Sequence, residues 1–498
     1  MNLQKEIIFG SDDANEARLI SKAEKAGKLR KLASRLYTTN MLDAPENIVR
    51  RNLFDILSWR LPGAILSHRS GATLRPTEKG NLYLSYTFTK RIDNIPGIIL
   101  NVMEGPKVSS KDIRLGAAEI FASSESRWML EIMQPARRGK DGESKSLPQS
   151  YVEKRLEGMI NAGGEERINA FRDSVRETAS ELGMMEEFEK LNAIISALLS
   201  THDAEVLQSS SGKSRAAGIP IDANRVELFE ILFDYLSGIY FPCSPEANIT
   251  ENSFRLFSFF ESYFSNYIEG TEFSIEEARQ IVETGITLPK RTADSHDILG
   301  TFRLASNRQE MMRTPPTEDE LLAILRHRHE VLLAGRPDCS PGMFKSIPNR
   351  AGMTEFVNPS LVEGTLRQGF RYYRALNEPL ARAIFMMFMC SEVHPFTDGN
   401  GRVSRLMMNA ELVSAKQTRI IVPTAYREDY ILSLRKLSRQ GKPDTFVEVM
   451  QRLQKFSQNF FGENFDALHN FLIECNAYEK PEEARLKFID RIGTASGL

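Results

Sequence analysis

The spacing of apolar residues separates a mixed first part of the chain from a helical second half. Apolar residues recur at helical spacing over 14–26 and 47–59, whereas they alternate in the manner of a strand over 81–88 and form a second strand over 97–102. From residue 226 onward the pattern is helical almost to the end. These patterns predict a mainly α protein in which an α+β region with the layout of a winged helix precedes a helical core.

The length of 498 residues exceeds the size at which a single hydrophobic core stops growing, so several domains are expected. Two polar stretches rich in Gly, Ser, Lys, Arg and Pro, 134–150 and 208–221, are predicted to be linkers or mobile loops. The predicted division is a winged-helix-like domain over 1–105, a helical connecting region with polar linkers over 106–225, a helical domain over 226–461 and a C-terminal helical tail over 462–498.

Composition and charge exclude several classes of protein. The formal charge of -2 gives no overall attraction to nucleic acid or membranes. The four cysteines are far apart and form no Cys-x-x-Cys pair, which argues against a zinc site or a disulfide framework and fits a reducing cytoplasm. The most apolar stretch, 383–390, is far shorter than the roughly 20 residues that span a bilayer, so no membrane association is expected.

A glycine-rich loop lies between two predicted helices, 379–392 and 403–413, and its residue types suit the binding of a polyphosphate. Such a loop brings backbone N–H groups and a helix N-terminus into one small volume. Gly399 and Gly401 permit close approach of the backbone, and Asn400 adds an amide donor. Arg402 and Arg405 are three residues apart, so both face the same side of the first helical turn and can pair with phosphate oxygens.

Three further residues of this loop have distinct predicted roles. His394 is the one group in the loop that can accept a proton near neutral pH, which makes it the candidate general base. Asp398 offers the hard oxygen ligand that Mg²⁺ prefers when it bridges phosphates. Phe396 is apolar within a polar loop, so it is expected to anchor the loop in the core.

The string from His394 to Arg405 resembles the Fic signature His-Pro-Phe-x-(Asp or Glu)-Gly-Asn-Gly-Arg-x-x-Arg and matches every fixed position. A chance match in a chain of this length has odds on the order of 10⁻⁹, so the motif is specific. The resemblance implies an all-helical Fic core over 226–461 with a β-hairpin flap at 346–357 that pins the target as an added strand. It also implies transfer of AMP from ATP, with Mg²⁺, to a Ser, Thr or Tyr hydroxyl of a protein, including the chain itself.

The same resemblance implies a role for each residue of the loop. His394 would deprotonate the acceptor hydroxyl, and Asp398 would hold the metal. The phosphates would be held by Gly399, Asn400, Gly401 and Arg402, with Arg405 at the γ-phosphate.

The segment Ser265-Asn-Tyr-Ile-Glu-Gly270 resembles the (Ser or Thr)-x-x-x-Glu-(Gly or Asn) pattern of the inhibitory helix in Fic proteins. It ends a predicted helix, 252–270, upstream of the loop, as in the class whose inhibitor precedes the Fic core. The implied mechanism is an ion pair from Glu269 to Arg405 that removes the arginine from the γ-phosphate. In resembling enzymes the same glutamate positions water to remove AMP, so reversal of the modification is also expected here.

Residues 1–105 resemble the AbiEi-type antitoxin winged helix, through the basic stretch 25–37 and the segments 48–51, 63–69 and 95–97. The first 90 residues hold fifteen Lys and Arg against nine Asp and Glu. The resemblance implies DNA binding, with phosphate contacts from four basic residues, Lys28, Arg30, Lys31 and Arg35. The alternatives are a solvated basic helix face or a protein-docking module.

Two other functions remain alternatives to protein adenylylation. Fic relatives also transfer UMP, phosphocholine or phosphate, although the intact Asp398, Asn400 and Arg405 favour ATP in the usual orientation. The second alternative is a DNA-binding regulator in which the Fic domain serves as a nucleotide sensor.

Overall fold

A computed structural model describes residues 4–117, 119–137, 139, 142–352 and 354–491. The predicted segments therefore extend beyond the described residues at five places, namely 1–3, 118, 138 with 140–141, residue 353 of the predicted flap, and 492–498 of the predicted tail.

The described chain forms two compact units, Met1–Ala217 and Gly218–Leu498. Their boundary falls within the polar stretch predicted at 208–221. The division of the chain into four segments stays a prediction.

The first unit combines short strands with helices. Its strands are β1 (Ile7–Phe9), β2 (Arg30–Ala33), β3 (Leu36–Thr38), β4 (Ile65–Leu66), β5 (Asn81–Tyr86), β6 (Lys90–Ile95), β7 (Ile98–Glu104), β8 (Ile113–Arg114) and β9 (Phe121–Ala122). Its helices are α1 (Ala14–Lys25), α2 (Pro45–Arg51), α3 (Leu53–Arg60), α4 (His68–Thr73), α5 (Glu125–Met133), α6 (Gln149–Leu182), α7 (Met185–Leu198) and α8 (Ser210–Ala216). Helix α6 is kinked at Gly163 and Gly164, which have non-helical backbone angles.

The strands of this unit form two sheets. The first is antiparallel with the order β1-β3-β2, and the second has the order β6-β7-β5-β4-β9-β8, in which β5 pairs with β7 and β4 with β9 in parallel. This arrangement confirms the predicted α+β character of the N-terminal region. The resemblance to an antitoxin winged helix and the binding of DNA stay predictions.

Two local predictions for this unit, and one of the alternatives considered for its basic stretch, are wrong. The single helix predicted over 47–59 is two helices, because Asn52 leaves helical geometry and its side chain donates to the carbonyl of Ile48 and to Glu6. The basic stretch holding Arg30 and Lys31 is strand β2, not a helix face. The predicted linker 208–221 contains α8, whose first turn is capped by the side chain of Ser209.

The second unit is helical apart from one hairpin. Its helices are α9 (Ala223–Ser237), α10 (Glu251–Ile268), α11 (Ile275–Thr284), α12 (Thr292–Ala305), α13 (Arg308–Met311), α14 (Glu318–Leu332), α15 (Val362–Ala375), α16 (Pro379–Val393), α17 (Asn400–Ser414), α18 (Arg427–Gln440), α19 (Asp444–Gln458) and α20 (Phe465–Glu474). Strands β10 (Arg350–Ala351) and β11 (Thr354–Glu355) pair antiparallel, which confirms the hairpin predicted within 346–357. Within the predicted helical tail, residues 475–491 form turns and extended chain after α20.

The core of this unit fixes the position of the glycine-rich loop. Helix α16 is buried over most of its length, with Phe385 and Phe388 fully buried, and it packs directly against α17. Helix α10 contributes Phe257 and Phe260 to the same core. The loop from His394 to Gly399 therefore joins two buried helices. Among the described residues, no helix has the length and apolar character needed to cross a bilayer.

Candidate active site

Two residues in the left-handed backbone region turn the chain from α16 into α17. His394 ends α16 at φ 52 and Gly399 precedes α17 at φ 74. A side chain at position 399 would meet methyl groups of Leu332 and Leu333 at 3.2 Å, so both the backbone angle and the space require glycine there. The first N–H groups of α17 have no carbonyl partner within the helix, so its N-terminus presents donors to the site.

Hydrogen bonds inside the loop hold its backbone in one shape. The side chain of Asn400 accepts from the N–H of Phe396 and donates to the carbonyl of Phe396, both at 2.8 Å. Asn349 donates to the same carbonyl at 2.9 Å, and the ring of Phe396 is fully buried. The Asn400 amide, predicted from the sequence as a phosphate donor, is therefore engaged within the loop, and its backbone N–H belongs to the first turn of α17.

His394 is held as a neutral imidazole with a defined tautomer. Its Nδ1 lies 3.3 Å from the carbonyl oxygen of Ser391, and because a carbonyl can only accept, Nδ1 carries the proton and Nε2 keeps its lone pair. The ring is stacked on Phe356 with centroids 3.7 Å apart. Burial, together with the charge of Lys345, lowers the pKa of His394 to about 4 despite the bond to Ser391. A neutral His394 can therefore accept a proton at physiological pH.

The base of the hairpin is tied to the loop by Lys345. Its backbone N–H donates to the carbonyl of Pro395 at 2.9 Å, and its ammonium donates to Asn349 at 2.7 Å. Burial and the charge of Arg225 lower the pKa of Lys345 to about 8. The hairpin that carries Phe356 is thus anchored next to His394.

Arg405 is bound by the end of helix α10. Its Nε donates to Ser265 Oγ at 2.9 Å, and its Nη2 donates to the Ser265 carbonyl at 2.8 Å and to Glu269 Oε1 at 2.6 Å. Burial tends to raise the pKa of Glu269, but the charge and hydrogen bond of Arg405, with the charge of Arg402, outweigh burial and lower it. The structure therefore brings together the hydroxyl of Ser265, the carboxylate of Glu269 and the guanidinium of Arg405.

The carboxylate of Glu269 also lies over the first turn of α17. A Cβ atom at Gly401 would come within 2.1 Å of Glu269 Oε1, so the missing side chain of Gly401 leaves the space that the carboxylate fills. This position at a helix N-terminus favours a negative charge. Glu269 therefore occupies a place suited to an anionic ligand.

Arg402 and Asp398 belong to a ring of alternating charges. Arg402 contacts Asp297 closely and lies 3.6 Å from Asp398, while Arg336 lies 3.3 Å from Asp297 and 3.5 Å from Asp398. Arg402 and Asp297 are buried, whereas nearly half of the Asp398 side chain is exposed. The pKa of Asp297 is raised by burial against the opposing charges of Arg402 and Arg336. The ring holds both guanidinium groups beside Asp398, which is the more exposed of its two carboxylates.

A cleft of about 400 Å³ lies beside His394 and Arg405. Its lining includes His394, Gly401, Arg405 and Glu269, together with Tyr430 of α18, which contacts Arg405. The remaining lining residues come from the hairpin, from α18 and from the C-terminal ends of α10 and α16; they include Ala351, Thr354, Phe356, Arg427, Leu434 and Arg435. The arrangement places a proton acceptor, a helix N-terminus and a guanidinium at one cleft. Transfer of a phosphate-linked group needs these groups, because the acceptor hydroxyl must lose its proton and the phosphate charges must be stabilised.

The fit of Mg²⁺ to this site depends on Asp398. No group of three or more His, Cys, Asp or Glu that could hold a metal ion occurs among the described residues. Mg²⁺ in nucleotide sites is commonly held by one or two carboxylates together with substrate phosphates. The single exposed carboxylate of Asp398 at the N-terminal end of α17 fits that mode.

The sequence did not identify several residues that shape the site. Asp297 on α12, Arg336 before a 3-10 turn and His329 on α14 all contact the loop, and Tyr430 faces Arg405. Asp297, Arg336 and His329 precede the residues they contact by more than 60 positions, and Tyr430 lies on a later helix. No local sequence pattern therefore marked them. A buried histidine in the apolar pattern of α14 was the only available signal.

Comparison with known proteins agrees with this geometry. Residues 317–412, which include the loop and most of α17, match the sequence model of the Fic/DOC family. This chain contains a Fic domain. The matched residues contain the motif from His394 to Arg405. The mainly helical fold with a hairpin is as predicted.

Similar proteins are known from animals and bacteria. Protein adenylyltransferase fic-1 of Caenorhabditis elegans is 24% identical over 230 residues, 45% of each chain. Protein adenylyltransferase Fic of Drosophila melanogaster is 26% identical over 256 residues, 49% of each chain. The chain thus spans about half the length of these relatives. A Fic domain containing signaling protein from Bacteroides thetaiotaomicron is 19% identical with a TM-score of 0.38, covering 47% of this chain and 94% of that one.

Proposed function

We propose that the Fic domain transfers AMP from ATP to a hydroxyl group of a protein. The observation that carries the proposal is that His394, with an unprotonated Nε2, lines the same cleft as Gly401 at the N-terminus of α17 and Arg405. The complete Fic motif and the similarity to proteins named protein adenylyltransferase support it. Transfer of another phosphate-linked group remains the alternative for the same site.

The proposed reaction is an in-line displacement at the α-phosphorus. Nε2 of His394 takes the proton of the acceptor hydroxyl as its oxygen forms a bond to the α-phosphorus, while the bond to the oxygen bridging the α- and β-phosphates breaks. Pyrophosphate leaves with that bridging oxygen. The backbone N–H groups of Asn400 and Gly401 would bind phosphate oxygens, whereas that of Gly399 donates to the Asp398 carboxylate. Arg402 would lie beside the phosphates, with Arg405 at the γ-phosphate.

Mg²⁺ would be held by Asp398 and would neutralise charge on the phosphates of bound ATP. The carboxylate of Asp398 accepts the N–H of Gly399 at 2.6 Å, which orients it at the start of α17. The neighbouring Arg336 and Arg402 restrain it further.

We propose that Glu269 inhibits this reaction. Its ion pair with Arg405 and its position over Gly401 place a carboxylate where the γ-phosphate would otherwise bind. ATP would then bind without the orientation that transfer requires. Glu269 also lines the cleft with His394, so it is positioned to orient water for the removal of AMP from a modified protein.

The protein target is proposed to bind along the hairpin. The described strands β10 and β11 pair only with each other, and a two-stranded hairpin has outer edges that can pair with an added strand. Phe356 joins this hairpin to His394 by stacking, so a segment bound there would present its hydroxyl near the base. Self-modification would use the same route.

The test is label transfer from α-labelled ATP to protein, with mass spectrometry of the products. An added mass of AMP on wild type or on co-incubated proteins, strengthened by Glu269→Gly and lost in His394→Ala, is the expected result. Label transferred from γ-labelled ATP but not from α-labelled ATP would instead identify a phosphate-transferring enzyme.

We further propose DNA binding by the N-terminal region, which would suit a regulator that senses nucleotide through the Fic domain. Lys28, Lys31 and Arg35 are exposed, although Arg35 already pairs with the exposed Asp12 at 2.7 Å. Arg30 is half-buried and donates to the carbonyl of Asp43. Duplex binding that weakens steeply with salt would support the proposal, and no binding at low salt would favour protein docking.

A further inference from the structure

One buried histidine outside the motif contacts the loop from behind. His329 lies on α14 with no solvent exposure. Its ring is parallel to that of Phe396, with centroids 3.8 Å apart and planes 3° from parallel. The residue that anchors the loop in the core is therefore itself packed against an imidazole.

The hydrogen bonds of His329 define a single tautomer. The backbone N–H of Gly342 lies 2.9 Å from Nδ1, and because an N–H can only donate, Nδ1 must be the acceptor. The carbonyl of Asp398 lies 3.1 Å from Nε2, and because a carbonyl can only accept, Nε2 must carry the proton. The neutral Nε2–H form satisfies both bonds, whereas a doubly protonated ring would oppose the N–H of Gly342.

The bond from Nε2 fixes the peptide between Asp398 and Gly399. That peptide presents its carbonyl to His329 on one side and its N–H to the Asp398 carboxylate, at 2.6 Å, on the other. Gly399 is also the left-handed residue that begins α17. A rotation of this one peptide would therefore move both the carboxylate and the N-terminus of the helix.

We propose that His329 is a positioning residue for the transfer reaction, which acts by donating Nε2–H to the carbonyl of Asp398. Through this bond it holds the Asp398 carboxylate in the orientation that serves Mg²⁺-bound ATP. This role rests on the proposed function. It requires the hydrogen bond from Nε2 to the carbonyl of Asp398, and not merely the packing of a buried ring.

Two substitutions separate the two hydrogen bonds. In His329→Gln the side-chain amide places a donor near the position of Nε2, whereas in His329→Asn the amide oxygen lies near the position of Nδ1 and the donor to Asp398 is lost. Both remove the aromatic ring, so both should lower the melting temperature by similar amounts. The substitutions are made in the Glu269→Gly background so that inhibition does not mask the effect.

The expected result is a difference between these variants. His329→Asn should reduce kcat and the Mg²⁺-dependent part of ATP affinity by about 10- to 100-fold, the range for residues that orient a metal ligand, whereas His329→Gln should retain most of both. His329→Phe, which keeps the stacking on Phe396, should behave as His329→Asn and replaces it if that variant does not fold. The matched control is His469→Gln. This variant removes a half-buried imidazole on α20 that is hydrogen-bonded to the hydroxyl of Tyr478.

Two measurements keep the outcomes apart. ATP affinity is measured with Mg²⁺ and again with a chelator, because binding requires no transfer. If the parent variant transfers no AMP, the proposed function fails, while the ratio of the two affinities still tests His329. Equal losses of this ratio in the Gln and Asn variants would overturn the positioning role and leave only packing.

Discussion

Replacing Glu269 by glycine should activate the enzyme, and the size of the gain follows from the contacts of Arg405. The substitution removes one charge-assisted hydrogen bond of 2.6 Å, a type of interaction worth about 1.5–3 kcal/mol. One third of the Glu269 side chain is exposed, so solvent screening favours the lower half of that range. Since 1.4 kcal/mol corresponds to tenfold, AMP transfer should rise by about 10- to 40-fold.

The assay is initial-rate labelling with α-labelled ATP, for both self-modification and added protein. Glu269→Gln keeps the shape and an acceptor oxygen but loses the charge, so its gain should be smaller. Glu272→Gly makes the same chemical change at an exposed position three residues further along and should leave the rate unchanged. The double variant Glu269→Gly with Arg405→Ala should be inactive, because Arg405 also serves the phosphate. Equal rates for wild type and Glu269→Gly would refute the inhibitory role.

Four further outcomes are expected. His394→Ala should lower transfer by about 10²- to 10⁴-fold while ATP affinity changes little, as judged by equilibrium binding. Neutralising Lys28, Arg30 and Lys31 should flatten the salt dependence of duplex binding, and an unchanged slope would exclude them as phosphate contacts. Arg427 donates to the carbonyl of Ile268 at the end of α10, so Arg427→Gln should raise basal transfer, by less than Glu269→Gly does. Burial lowers the pKa of His329 to about 4, below its unfolded value near 6.5, so between these values the unfolded state binds a proton that the folded state does not. The free energy of unfolding should therefore fall by about 1.4 kcal/mol per pH unit as the pH drops from 6.5 to 4. Denaturant titrations measure this slope, and His329→Phe should lack the contribution.

The residues of the loop could be found from the sequence because their chemistry is local. Positions 394 to 405 lie in one turn and the first turns of one helix, so spacing alone places Gly399, Gly401 and Arg405 at the same N-terminus. The contact of Glu269 with Arg405 was accessible only through the resemblance to inhibitory helices, since 136 residues separate them.

The sequence could not reveal contacts that depend on tertiary packing. Asp297 and His329 belong to helices whose patterns specify a buried face but not which loop that face meets. The break at Asn52 and the helix α8 were missed for a related reason, since side-chain hydrogen bonds from Asn52 and Ser209 decided structures that periodicity alone did not.

Helix α10 and its C-cap residue carry both the carboxylate that is proposed to inhibit transfer, Glu269, and the groups that support Arg405. Ser265, one turn before Glu269, binds Arg405 through its hydroxyl and its carbonyl, and Phe257 and Phe260 of the same helix are fully buried in the core. Proteolytic removal of this helix would therefore leave Arg405 unsupported and the core open. Under the proposed inhibition, activation requires a change that moves the Glu269 side chain while the helix stays in place, which differs from the proteolytic activation of a zymogen.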